Sequence, residues 1–596
     1  MSARSRDLGT LSAREVTGGA LAGYRARMGA ADPYLQKPWL RFYPKGVPAT
    51  VEVPRTSVSQ VFDEATDRWA DRAAVAFYGR EITYRELREG ADRLAAAFAD
   101  MGVRKGDRLA LYLLNSPQFI IAYFAALKCG ATVTPISPMY TSHEVRYQLE
   151  DSGARAIVCQ DILHDKVVKS GAPLDLIVVT SIAEYLPPLK RLLGRGPLAR
   201  FFSDLEQGTP EVAPAPNQHW LQDLLRKYPP RPPSVAIDPD VDLAALPYTG
   251  GTTGHPKGVM LTHRNLVAAR TVAGVIFPGL VEGQEVILAF LPFFHIYGQV
   301  SIMLSSLAQG HLLVLFTHPD TSAILTAMER YRATAFFGVP TLYEYLKDHK
   351  DTDKVDWRRL KLVVSGADTL HESTMQGWAR RTGSHITEGY GLSETCATSH
   401  LNPIDRTKPG SFGCPVPNVL AAVVDPETLE FVPPGQTGEL VLSGPNVMKG
   451  YWRRPEETDR AFVERAGVRW MRTGDIVRMD DEGYFHFYDR AKDLIKYKGH
   501  SVFAKDVEDV LYGHPQVKAA GVIGVPDPAV GQRIKAVVVL QTDARGCVSE
   551  QEIKAYCRER LADYKVPHLV EFRGEVPKTD VGKVSRRELR DEGTLS

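Results

Sequence analysis

Residues 248–259 read Tyr-Thr-Gly-Gly-Thr-Thr-Gly-His-Pro-Lys-Gly-Val, a loop dense in glycine and hydroxyl groups with one lysine at its exit. Gly250, Gly251, Gly254 and Gly258 let the backbone turn through positive φ and bring N–H groups close to a ligand. Thr249, Thr252, Thr253 and Lys257 add donors and positive charge. The ligand that suits such a cradle is a polyphosphate. The loop is not of the Walker type, because Gly258 rather than Ser or Thr follows Lys257. It can therefore grip β- and γ-phosphates while chemistry takes place at the α-phosphate. The plainer alternative is a glycine-rich surface loop, against which stands the buried-strand pattern of Leu243–Tyr248 just before it.

Six further motifs follow in order. Leu291-Pro-Phe-Phe-His-Ile-Tyr-Gly298 puts His295 and aromatics on a strand-to-helix turn, and Ser365-Gly-Ala-Asp368 ends a strand. Thr387-Glu-Gly-Tyr-Gly-Leu-Ser-Glu-Thr395 gathers an aromatic, a hydroxyl and a carboxylate within a few residues. Arg472-Thr-Gly-Asp475, Asp489-Arg-Ala-Lys-Asp-Leu-Ile-Lys496 and Pro577-Lys-Thr-Asp-Val-Gly-Lys583 complete the series. Singly each has a bland reading: Gly-Asp as a turn, His295 as a satisfied core histidine, Gly-Lys as a solvated pair. In this fixed order they are distinctive. From about residue 56 to 590 the chain closely resembles the adenylate-forming superfamily of acyl-CoA synthetases, firefly luciferases and nonribosomal peptide adenylation domains.

The resemblance implies two half-reactions. A carboxylate attacks the α-phosphate of ATP to give acyl-AMP and pyrophosphate, and a thiol, usually that of coenzyme A, then takes the acyl group. It also implies a large N-terminal domain, residues 1–489, and a mobile C-terminal lid, residues 490–596. Because a carboxylate and a triphosphate repel each other, such catalysis is chiefly charge neutralisation and positioning. On this reading Glu394 is the Mg²⁺ ligand with Thr249 nearby, Ser393 bonds phosphate, and Tyr390 stacks on adenine. Gly366, Gly389 and Gly391 belong to the same nucleotide-binding set, Asp475 accepts both ribose hydroxyls, and Arg490 contacts ribose and phosphate. Lys583 is the adenylation lysine, and Lys492 is the hinge. Lys496, about one helical turn further on, enters the site in the second orientation. Gly499 lies near the pantetheine tunnel, and His295 is the gate that admits the thiol rather than a base.

The chain departs from the family pattern at Ala504 and Asp506, where proline and glutamate are usual, and at Ser501, where Arg or Lys is common. These departures bear on the coenzyme A contacts of the lid more than on adenylation. The leader Lys37-Pro-Trp-Leu-Arg-Phe-Tyr-Pro-Lys-Gly-Val-Pro48, the Gly-Gly-Thr-Thr-Gly loop and residues 444–452 (GPNVMKGYW) look most like bacterial long-chain fatty acid–CoA ligases. A long acyl chain gains about 0.8 kcal/mol per buried CH₂, so a deep apolar tunnel is expected. Its wall would come from Phe293–Gly298, Phe336–Pro340 and Gly366–Ala367, with glycines at 338, 366 and 389 leaving room near the carboxylate. Three alternatives stay open: an acyl-AMP ligase loading a carrier protein, a ligase for aryl or other acids, and a non-catalytic binder on the same fold. Retention of Glu394, Asp475 and Lys583 speaks against the last.

These residues need a scaffold, and the surrounding pattern supplies one. Thr83-Tyr-Arg-Glu86 is a capping box, followed by Leu87, Ala91, Leu94, Ala95 and Phe98 on one helical face. Arg108–Leu114 and Ala131–Ile136 read as strands with a helix, Pro117–Lys128, between them. The rhythm returns with strands at Val286–Phe290, Leu312–Phe316, Ala333–Phe337 and Leu362–Ser365. Such alternation predicts an α/β fold of parallel-rich sheets with flanking helices. Shorter strands after Pro415 (Leu420–Val424, Glu439–Ser443, Gly483–Tyr488) suggest a β-rich subdomain. A small α+β unit with strands Ala519–Gly524 and Lys535–Leu540 and a helix near Glu550–Leu561 closes the chain.

At 596 residues, two or more domains are expected. Lys and Arg number 72 against 71 Asp and Glu, a balance that argues against a dedicated nucleic-acid binder. Six scattered cysteines without a CxxC spacing suggest a reducing compartment and no structural zinc. The basic N-terminus lacks an apolar core, so no secretory signal is expected. Val286–Pro319 carries no charged side chain, but Pro292, Gly298 and Gly310 interrupt it, so no membrane span is expected there. Residues 187–202 mix basic and apolar side chains and suit a cover over the protein's own groove or, alternatively, peripheral contact with a membrane surface. A cytoplasmic location, with or without that contact at the inner face, is expected, as is either a monomer or a homodimer.

Overall fold

The computed structural model describes residues 33–187, 212, 217–249, 255–498, 500–541, 548–577, 584 and 586–593. The chain forms two compact units. One comprises the chain up to Ala421 with Leu442–Met471 and Glu482–Tyr484, and the other comprises Ala422–Val441, Arg472–Asp481 and the chain from Phe485 onward.

The first unit is built on two large sheets. At the centre of one, strands Thr387–Tyr390, Leu362–Ser365, Ala335–Gly338, Val286–Ala289, Leu312–Leu315 and Ala73–Phe77 lie side by side and parallel. Antiparallel neighbours close its edges: His400–Leu401 and Cys414–Pro415 on one side, Arg80–Thr83 on the other. In the second sheet Leu243–Ala245, Thr132–Pro135, Arg108–Tyr112, Ala156–Gln160, Leu176–Thr180 and Gln218–Trp220 run parallel. The strands read as near-continuous apolar runs because helices cover both faces. Helix Pro117–Lys128 is buried at every position, which makes it an internal element rather than a surface one. The expected capping box closes helix Tyr84–Asp100: Glu86 N–H donates to Thr83 Oγ1 at 3.1 Å, and Thr83 N–H donates to Glu86 Oε2 at 2.7 Å.

The uncharged stretch 286–319 resolves into strand Val286–Ala289, a turn, a helical stretch Tyr297–Ala308 and strand Leu312–Leu315. No helix among the described residues is long and apolar enough to cross a membrane. Beyond Pro187, the basic-apolar segment 187–202 lies outside the described residues. Leu243–Tyr248 corrects the sequence reading: it is not one strand but two, Leu243–Ala245 and Tyr248–Thr249, both antiparallel to Lys257–Thr262. Pro247 falls between them and has no N–H to give a ladder, while its carbonyl accepts from Val259 N at 2.8 Å.

The small unit shows how alternation builds two cores on one sheet. Strands Val517–Asp527 and Gly531–Leu540 pair antiparallel, with Leu569–Phe572 parallel to the latter. Val522, Ala536 and Val538 face helices Ala504–Tyr512 and Glu550–Arg558, while Ile523, Val537 and Val539 face the terminal helix Arg586–Gly593 through Leu589. Gly521 makes that second layer fit, since a Cβ there would lie 2.6 Å from Leu589 Cδ1 and 2.7 Å from Val584 Cγ1. Five cysteines are described, and all are buried and free.

Candidate active site

In the first unit, strands Tyr248–Thr249 and Lys257–Thr262 pair antiparallel with Thr249 opposite Lys257, and so frame the two ends of the glycine loop. Gly251, Thr252, Thr253 and Gly254 lie outside the described residues. The Lys257 ammonium pairs with Glu457 at 2.5 Å and lies 4.7 Å from the centre of the Tyr451 ring.

Strand Thr387–Tyr390 leads into the short turn Ser393–Thr395 that carries Glu394. Tyr390 pairs in register with His400, and its ring lies 4.5 Å from Phe412 and 5.8 Å from His400, which meet each other edge-on at 5.1 Å. Tyr390 is thus half-buried against two fully packed aromatic rings and offers a braced surface for a planar ligand. Gly391 is required by close approach, since a Cβ there would fall 1.3 Å from the carbonyl oxygen of Ala397. Gly366 and Gly389 sit near each other, and the Tyr297 ring lies where a Gly366 side chain would reach.

Glu394 is held on two sides. Its carbonyl accepts from Met448 N at 2.8 Å, and its Oε1 accepts from the Tyr451 hydroxyl at 2.9 Å. Burial, with Glu394 beside it, pushes the Tyr451 pKa up, so the phenol remains a donor. No ion pair to Glu394 occurs among the described residues, and one carboxylate with phosphates as the remaining ligands fits magnesium, which rarely uses more than two.

The Leu291–Gly298 motif forms the expected turn. Asn115 fixes it: its Nδ2 donates to Ala289 O at 3.1 Å and Leu291 O at 2.8 Å, and its Oδ1 accepts from Phe293 N at 2.8 Å. His295 Nδ1 accepts from Tyr297 N at 3.3 Å, and its ring is solvent-accessible. Desolvation by the neighbouring protein pulls its pKa below the ordinary histidine value. Tyr297 Oη is buried with no hydrogen-bond partner among the described residues.

The second unit carries the remaining candidates. Asp475 is fully buried, stands opposite Arg490 in register, and pairs with its Nη1 at 2.6 Å. Glu439 shapes the turn before it, bonding the Arg472 guanidinium and accepting from Gly474 N at 3.1 Å. Lys492 falls in the single turn Ala491–Asp493, with its side chain outside the described residues. Lys496 corrects the sequence reading. It is not a helical turn beyond Lys492 but lies on strand Ile495–Tyr497, with its ammonium paired to Glu427. The strand wins because Ile495 and Tyr497 find partners in Val502 and His500 across a tight hairpin. Gly499 and Lys583 lie outside the described residues. Ala504 is buried at the start of helix Ala504–Tyr512, and Asp506 has its own partners in Tyr488 and Lys565, the latter at 2.5 Å.

Sequence reasoning missed Asn115, Phe412 and Tyr451. Tyr451 stood inside the 444–452 motif but was read only as a sign of kinship, and nothing local marked Phe412 or Asn115.

Parallel sheets, a glycine loop framed by paired strands and the Glu394 carboxylate held by Tyr451 suit a nucleotide-binding α/β enzyme. Residues 62–452 match the family described as AMP-binding enzyme and residues 506–583 match its C-terminal domain, so the chain belongs to the AMP-binding enzyme family. A long-chain-fatty-acid–CoA ligase of Bacillus subtilis is 38% identical over 94% of this chain and 98% of its own. A ligase of the same name from Escherichia coli O6:H1 is 36% identical over the same shares. Among solved structures, ATP-bound MatB from Rhodopseudomonas palustris aligns with a TM-score of 0.73 at 29% identity, covering 90% of this chain and 99% of that one. A Mycobacterium tuberculosis fatty acyl CoA synthetase aligns at 0.72 and 26% identity, covering 90% and 98%.

Proposed function

We propose that this protein is an AMP-forming fatty acid–CoA ligase acting on long- or medium-chain acids, with ATP, Mg²⁺ and coenzyme A. The observation that carries the reading is the joining of the phosphate loop and Glu394 by one short strand, Gly450–Tyr451, in a chain similar along nearly its whole length to ligases of that name.

The division of labour follows from charge. Gly251, Thr252, Thr253, Gly254 and Lys257 grip the phosphates, and Lys257 leaves Glu457 to do so. Glu394 and Thr249 hold the metal, which supplies charge neutralisation when bound. Tyr390 stacks on adenine, Ser393 bonds phosphate, and Gly366, Gly389 and Gly391 keep the floor of the site low. Asp475 accepts hydrogen bonds from both ribose hydroxyls, and its neighbour Arg490 contacts ribose and phosphate. Lys583 stabilises the charge that develops between the attacking carboxylate and the α-phosphate, then withdraws as residues 490–596 turn about Lys492. Lys496 and Gly499 then serve the thiol, and His295 moves aside to admit it. Segment 187–202 suits contact with a lipid surface or with the protein's own groove.

If the Tyr390 surface receives adenine, Phe412→Leu, which keeps bulk but removes the aromatic brace, should raise KM for ATP about threefold with little change in kcat. An unchanged KM in steady-state kinetics would remove Phe412 from the binding surface.

A feruloyl-CoA synthase from Amycolatopsis is 35% identical over 87% of this chain, so aryl acids form the second reading. Pyrophosphate release measured with acids from acetate to oleate plus ferulate and benzoate, with and without coenzyme A, decides between them. A maximum among C8–C18 acids that needs coenzyme A supports the fatty acid ligase. A maximum with ferulate supports the aryl reading, and acyl-AMP that accumulates without thioester supports carrier loading.

A further inference from the structure

Residues 444–452 bridge two parts of the site that lie far apart in sequence. On one edge, Tyr451 and Gly450 pair with Val259 and Met260 of the strand leaving the glycine loop. Lys449 N donates to Met260 O at 3.0 Å, and Trp452 N donates to Gly258 O at 2.8 Å. On the other edge, Met448 N bonds the Glu394 carbonyl and the Tyr451 hydroxyl bonds its carboxylate. The segment is itself anchored. Asn265 Nδ2 donates to Pro445 O and Val447 O, both at 2.9 Å, and Asn446 Nδ2 donates to Thr395 O at 3.0 Å. Tyr451 N donates to Thr458 Oγ1 at 2.9 Å. A hydroxyl fixed to this frame orients one oxygen of Glu394, and the other has no partner among the described residues.

We propose that Tyr451 is the positioning residue of the metal site: its hydroxyl holds the Glu394 carboxylate in register with the strand that leaves the phosphate loop, so that the metal and the phosphates are gripped by one rigid unit. The inference rests on the reading of Glu394 as the metal ligand. A carboxylate that is oriented beforehand spends less freedom on binding, and removing such an outer partner typically weakens metal affinity about 10- to 100-fold. The Tyr451 ring also borders the Lys257 ammonium, so loop and carboxylate share a single side chain.

The test is calorimetric binding of ATP to the full chain without any carboxylic acid, so that no turnover occurs, in EDTA and then in Mg²⁺. In the wild type, Mg²⁺ should tighten ATP binding. Tyr451→Phe should cut that enhancement about tenfold, leave the affinity in EDTA within about twofold, and leave the thermal midpoint within a few degrees, because strand pairing needs no hydroxyl. Tyr451→His, which keeps a ring donor, should recover part of the enhancement. Glu394→Gln is the comparator. If Tyr451→Phe retains the full enhancement while Glu394→Gln loses it, Tyr451 does not position the ligand. If both retain it, the reading of Glu394 itself fails. Equal weakening in EDTA and Mg²⁺ would mark general damage and overturn the proposal as well.

Discussion

Lys583→Ala should lower pyrophosphate release from ATP and fatty acid by about 10²–10³-fold, the usual cost of removing one group that stabilises developing charge. Conversion of supplied acyl-AMP to the thioester should stay within about twofold of the wild type, because a lysine that serves the first orientation of a mobile lid is absent from the second. The comparison needs both half-reactions from the same preparation. Rapid-quench measurement of pyrophosphate reports the first, and acyl-CoA formed from synthetic acyl-AMP reports the second. If the two fall together, Lys583 does not divide the reaction in this way.

Arg586→Ala should destabilise the small unit by about 3–5 kcal/mol, the range for removing one partner from a buried ionic cluster. The Arg586 guanidinium meets Asp489 and Glu508 at 2.5 Å and Asp493 at 3.4 Å, and all four side chains are at most 17% exposed. Alanine would leave three carboxylates near one another with their shared cation gone, while Arg590 still pairs with Asp493. The cluster also ties the terminal helix, whose Arg586 stands three residues after Lys583 in the chain, to the strand end and turn that hold Asp489 and Asp493. Urea unfolding followed by limited proteolysis of the small unit gives the number. A change below about 1 kcal/mol would class the cluster with exposed ion pairs, which contribute little.

Much of the scaffold was legible because it rests on short-range rules. Helix Pro117–Lys128 and strand Leu362–Ser365 match the sequence reading residue for residue, and the Thr83–Glu86 box forms as expected. What sequence could not supply was any choice made across distance. The run after Lys492 is too short for its period to decide, and hairpin pairing made it a strand. Leu243–Tyr248 looked continuous because its apolar pattern outweighed one proline. Tyr451 and Glu394 are 57 residues apart, so no local pattern could reveal that a hydroxyl in a kinship motif would end on the carboxylate. The motif residues themselves were readable because they are polar or glycine among apolar strands.

The ring behind Tyr390 has a consequence for acid. His400 is fully buried, with Nδ1 3.1 Å from Ser399 Oγ, and burial drags its pKa to about 3. The imidazole behind that surface is therefore uncharged at neutral pH. The unfolded chain, by contrast, takes up that proton near the ordinary histidine value of about 6.5. Through this one side chain the fold loses about 1.4 kcal/mol for each pH unit between those two values as the medium acidifies. Through His400, acid thus loosens the fold beneath the Tyr390 ring before it charges the imidazole within the folded protein.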